Sequence, residues 1–199
     1  MHQILPCFYL IFSLLMPSTV FAAPTKYYVP PSHFNAAFQI MDMGMANILG
    51  LFQEATGSFA FDDSTKTLSH LKIAINSSSL TVAHASEARE LASLLEINEF
   101  PEIVFMATAE TAFKDGRAAI KGTLTIHGVS NPATFEGTLN FAGARPFNPN
   151  KSSNEVPTVG LSLKGSFKRA DFGMGDEPEV PGRFGETMTL MLEMQTVQP

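Results

Sequence analysis

An alternation of apolar and polar residues with period two returns along most of this chain, and nothing else in the sequence limits its fold so strongly. Phe34, Ala36, Phe38 and Ile40 alternate with Asn35, Ala37, Gln39 and Met41, and Leu71, Ile73 and Ile75 with Lys72, Ala74 and Asn76. The same rhythm governs Ile103, Phe105 and Ala107, then Leu124 and Ile126, then Phe135, Leu139 and Phe141, then Val159 to Phe167 and Met188 to Met194. Successive strand side chains point to opposite faces, so each run buries one face and leaves the other wet. With the 48–61 stretch, where Gly50 and Gly57 suggest bends or bulges, the runs amount to about eight strands. Many one-faced antiparallel strands deal with their edges by closing into an up-and-down barrel or by packing as a sandwich.

One segment departs from this rhythm. Ala88, Leu91, Ala92 and Leu95 follow helical spacing, Ser86 is a candidate N-cap and Pro101 bars continuation, so a single short helix is expected over 86–96. Two long loops are expected at 143–157 and 174–185, both dense in turn formers. Within GTLTIHGVSNPATFEGTLNF, residues 122–141, the turn between two strands is expected at Ser130-Asn131-Pro132. Small residues recur on the inward parity: Gly122, Gly137, Gly165, Ala36, Ala107 and Ala118. Two readings stay open here. The small residues leave a narrow apolar tunnel, or they relieve crowding where twisted strands curve.

The first 22 residues read as a secretory signal peptide, with an apolar run from Phe8 to Met16, a break at Pro17 and small residues at Val20-Phe21-Ala22. The run is shorter than the ~20 residues a membrane span needs. Cleavage near Ala22 leaves one domain over 23–199, and since Cys7 is the only cysteine, that domain has no thiol, disulfide or thioether lipid anchor. Export without disulfides points to a bacterial periplasm. The net charge of −6 argues against binding phosphate backbones or anionic membrane surfaces, so nucleic acid is not an expected partner. Phenylalanine supplies 17 of the aromatics beside three Tyr and no Trp, an interior that asks for no polar partners.

Sites with reactive chemistry are not evident. His33, His70, His84 and His127 show no metal-ligand spacing, and neither a nucleophile elbow nor a phosphate loop is present. Asp171 with Glu136 or Glu186 is the best carboxylate pair, and nothing in the spacing brings them together. In Lys168-Arg169-Ala170-Asp171 the charges either hold a polar head at a pocket mouth or form a salt bridge pinning the turn that follows.

Four stretches in order resemble the YceI-like family of exported lipocalin-like proteins. They are FQIMDMGMANILGLF (38–52), with Gly57 and Phe61-Asp62 following; RELASLLEINEFPEIVF (89–105); GTLTIHGVSNPATF (122–135); and KRADFGMG (168–175). Asp42 stands where that family often has histidine. The resemblance implies an all-β fold, an eight-stranded antiparallel lipocalin-like barrel with one short inserted helix. It also implies an apolar tunnel holding a polyisoprenoid or isoprenoid-quinone-like lipid, in a periplasmic protein without catalysis or cofactor. On that reading the tunnel wall is Phe38, Ile40, Leu71, Ile73, Phe105, Ile120, Leu124, Ile126, Phe135, Leu139, Leu161, Leu163, Phe167, Leu190 and Leu192. No stable membrane insertion is expected, and a homodimer stays open. The rival is a lipid-modifying isomerase or cyclase using Asp42, on the inward parity, or His127, on the outward one. An outer-membrane barrel fits poorly, since Lys72, Lys121, Glu136, Lys164 and Glu193 fall on the outward parity.

Overall fold

In the computed structural model, which describes residues 23–145, 157–175 and 182–196, the alternating runs build one strongly curled antiparallel sheet. Its strands are β1 (Thr25–Val29), β2 (Phe34–Asp42), β3 (Ala46–Phe52), β4 (Ala55–Asp62), β5 (Thr67–Asn76), β6 (Leu80–Val82), β7 (Glu102–Ala107), β8 (Thr111–Ala112), β9 (Arg117–Ile126), β10 (Val129–Ala144), β11 (Pro157–Lys168) and β12 (Phe184–Gln195). Helix α1 (Ala85–Leu94) lies between β6 and β7. Hydrogen-bonded neighbours run β1-β4-β5-β7-β9-β10-β11-β12-β2-β3-β6, with β8 on β5. The barrel-like all-β class stands with more strands than eight. The 48–61 stretch divides at Gln53-Glu54, and the short β1, β6 and β8 extend the sheet.

Curling brings β4 against β2 and β12 without a ladder between β4 and either. A Cβ at Gly57 would sit 3.3 Å from the Phe34 ring and 3.4 Å from Met194 Sδ. The concave face gathers one continuous apolar core. Lys72, Lys121, Glu136, Lys164 and Glu193 are all exposed on the convex face, as the alternation requires. Among the described residues no helix is long and apolar enough to cross a membrane.

Three local expectations are corrected. The turn between β9 and β10 is His127-Gly128, with φ of 52° and 69°, because a two-residue hairpin of the primed type needs both central residues at positive φ. Ser130-Asn131-Pro132 instead lies in β10. There Pro132 pairs only with Thr123 of β9, since the ladder to β11 begins at Glu136, so its missing N–H interrupts nothing. Further along, the register slips between Leu139 and Phe141, which turns Phe141 off the inward parity and lays it against Gly160.

The third concerns α1, which begins one residue before Ser86, with His84 at the N-cap position and no side-chain capping bond. Its end is a Schellman motif: Ile97 N–H donates to Ala92 C=O at 3.2 Å and Glu96 N–H to Ser93 C=O at 3.0 Å. Glu96 takes the left-handed position, φ 45°, where glycine is usual. The leader, most of the first expected long loop and half of the second fall outside the described residues.

Candidate functional site

The concave face is the obvious place for an apolar guest, and its packing answers which reading of the small residues holds. Phe38, Ile40, Leu71, Ile73, Phe105, Ile120, Leu124, Ile126, Phe135, Leu161, Leu163, Phe167, Leu190 and Leu192 are each at most 8% exposed, and Leu139 packs partly buried against them. Beside the inward glycines there is no open space. A Cβ at Gly122 would meet the Phe105 ring at 2.6 Å, one at Gly137 the Ile120 Cδ1 at 2.8 Å, and one at Gly165 the Phe135 ring at 2.8 Å. The rings of Phe105 and Phe135 touch in turn, with centroids 4.5 Å apart and planes tilted by 54°. Gly122 and Gly165 therefore seat aromatic rings and Gly137 the end of Ile120, and the gaps expected at these three glycines are not present. Beside these three glycines a guest would meet side chains rather than vacancies.

Polar side chains collect where α1 meets the ends of the strands. Arg183, just before β12, donates from Nε to Asp42 Oδ1 at 2.9 Å and contacts Glu90 Oε2 of α1 through Nη1. The Met43 N–H donates to the Arg183 carbonyl at 2.7 Å, fixing the β2–β3 turn to the same point. Asp42 keeps its inward parity yet sits at the rim, ion-paired and partly exposed, which is not the setting of a free base facing the interior. Met43 and Met45 are exposed on the turn, outside the core.

His127 takes a second group of contacts at the same end. Its ring packs against Phe100 with centroids 4.5 Å apart and planes tilted by 54°, Nδ1 lies 3.2 Å from the Phe172 carbonyl, and Nε2 lies 3.1 Å from Glu96 Oε2, out of line for a hydrogen bond. Its side chain is 14% exposed, so it pins the turn after α1 rather than facing solvent or the barrel interior.

Arg169 resolves the basic tetrad. Only 4% exposed, it donates from Nε to Gly185 O at 2.8 Å, from Nη1 to Gly175 O at 2.7 Å and from Nη2 to Phe184 O at 2.9 Å. It thus clamps the turn after β11 to the start of β12 through backbone carbonyls. Asp171 uses its own carbonyl to accept from Asn131 Nδ2 at 2.6 Å. The side chains of Glu136, Asp171 and Glu186 are exposed, and no contact joins them. Among the described residues no group of three His, Cys, Asp or Glu could hold a metal ion. Arg183 and Glu90 are the site residues that sequence reasoning missed. Their contacts span 141 and 93 positions, and no spacing rule reaches so far.

Comparison with known proteins agrees with this geometry. A UPF0312 protein of Pseudomonas putida (strain W619) is 28% identical over 189 residues, 94% of this chain and 92% of that one. A UPF0312 protein of Pseudomonas fluorescens (strain SBW25) gives the same identity and coverage. Among solved structures, Burkholderia cenocepacia BcnA superposes with a TM-score of 0.70 at 16% identity, covering 85% of this chain and 99% of that one. A polyisoprenoid binding domain from Saccharophagus degradans superposes with a TM-score of 0.58 at 9% identity, covering 89% and 100%. The sequence profile of the YceI-like domain matches residues 27–196, and the chain belongs to the YceI-like domain family.

Proposed function

We propose that this protein is an exported binding protein that holds a polyisoprenoid or isoprenoid-quinone-like lipid inside the barrel, for carriage or storage in the periplasm. The observation that carries the reading is the concave face itself, a continuous apolar surface within a YceI-like domain. The solved Saccharophagus degradans relative, described as polyisoprenoid binding, supports the same class of ligand. Each methylene-sized unit moved from water into such a surface contributes roughly 0.8 kcal/mol, so a long prenyl chain needs few polar contacts to be held. Binding then depends on the core yielding. Met side chains shift between packings at lower cost than branched ones, and Met188 and Met194 lie in this core. The proposed wall is the set of inward residues from Phe38 to Leu192 named above.

Leu124→Arg and Leu163→Arg place a charge on that wall. Protein purified from a periplasmic extract should yield isoprenoid lipid on organic extraction, and either variant should yield none while keeping the far-UV spectrum of the parent. Undiminished lipid in a folded variant contradicts the assignment.

A further inference from the structure

We propose that α1 is the lid through which the lipid passes, latched by Arg183 between Asp42 and Glu90; this rests on the lipid-binding reading. Three observations converge on it. All the wall residues but Leu139 are at most 8% exposed, so no chain reaches the wall as a whole unless a part of the molecule moves. Every strand around the core is held by ladder hydrogen bonds, whereas among the described residues α1 makes no backbone hydrogen bond to the barrel and is joined to it by the wedge of Leu91 and Leu94 and by the Glu90–Arg183 contact. It can thus leave without breaking the sheet. Its two ends are also suited to movement. The first turn has no side-chain cap, and the last runs into Glu96, a non-glycine residue held at φ 45°, which is where a hinge would store strain.

The latch is polar where the wedge is apolar. Arg183 ties the strand side, Asp42 and the Met43 N–H, to the helix side, Glu90, in partly exposed ion pairs. Such pairs contribute little to global stability yet fix orientation, so releasing them should free the helix before the sheet.

The test uses the chain from Ala23 onward, which carries no cysteine. The probe is a dansyl-labelled prenyl alcohol, with uptake and release followed by fluorescence. Arg183→Gln, and Glu90→Gln as a milder change on the helix surface, should each speed release, by about fivefold for Arg183→Gln, where both partly exposed pairs are lost. A Glu90→Cys/Arg183→Cys protein joined by a short bismaleimide should keep preloaded probe and refuse new probe. Exchange as fast after cross-linking as before overturns the lid. Amide hydrogen exchange without lipid separates the two claims. Faster exchange over 85–97 in Arg183→Gln, with β9 to β11 unchanged, upholds the moving lid even if the wild type binds no prenyl probe, and then only the ligand reading falls. Unchanged exchange over 85–97 in both variants overturns the lid whatever the probe does.

Discussion

Between β7 and β11 the interior is fixed by rings seated on glycines, Phe105 over Gly122 and Phe135 over Gly165, while the α1 end is fixed by Arg183 between two carboxylates. The first region is apolar, built within ladders and closed to water. The second is partly exposed and joins Asp42 at the end of a strand to Arg183 and to Glu90 of the helix through side chains. The contrast teaches where stability and motion divide. Close packing against glycine is unforgiving of added volume, whereas ion pairs at the rim can be exchanged for water at small cost.

The comparison can be broken most severely at the clamp that joins the regions. Arg169→Ala strips four backbone carbonyls of Met174, Gly175, Phe184 and Gly185 of their donor and should destabilise the protein by about 3 kcal/mol in chemical denaturation. A loss below that of a typical surface substitution would mean water replaces the guanidinium freely. Next, Gly165→Ala drives a Cβ into the Phe135 ring and should cost about 1–3 kcal/mol. Adding Phe135→Leu to Gly165→Ala should return part of that loss, and strictly additive effects would dissolve the ring-on-glycine account. Arg183→Gln is expected to cost less than about 1 kcal/mol in the same assay, because its partners are partly exposed. A cost equal to that of Arg169→Ala would erase the distinction between wall and latch.

The smallest effect lies at Tyr27, whose ring packs on Phe59 with centroids 5.6 Å apart. Burial, and then the charge of Asp63, push its phenol above the ordinary value of 10.0. The folded state therefore favours the neutral phenol. Its contribution is whole below pH 10 and is lost as pH rises through the higher folded value. Stability should fall more steeply above pH 10 in the wild type than in Tyr27→Phe, and parallel curves would remove this group from the alkaline transition.

How far the fold was legible follows the same division. Parity placed Phe38, Leu71, Leu124 and Leu163 on the concave face, because strand side chains alternate whatever the tertiary context. It failed at Phe141, where one extra residue at a bulge reverses the faces, and at Pro132, which looks like a turn residue but sits on a stretch paired on one side only. Parity puts Gly122, Gly137 and Gly165 on the inward face, but what covers them is not legible there, since a missing Cβ reads alike whether a side chain or a ligand lies over it. The rim was nearly invisible. Arg183 follows a Pro-Gly pair in an expected loop, and only the folded chain brings it to Asp42 and Glu90.

The central claim is that the concave face of this YceI-like domain holds an isoprenoid. Native mass spectrometry of the protein taken from a periplasmic extract, with identification of any extracted lipid, tests it most directly. A single added mass at one-to-one stoichiometry that resolves into a polyisoprenoid or isoprenoid quinone is the expected result. A protein that is isolated empty and takes up no added prenyl lipid would contradict it, and would leave the glycine-seated rings as a packing device alone.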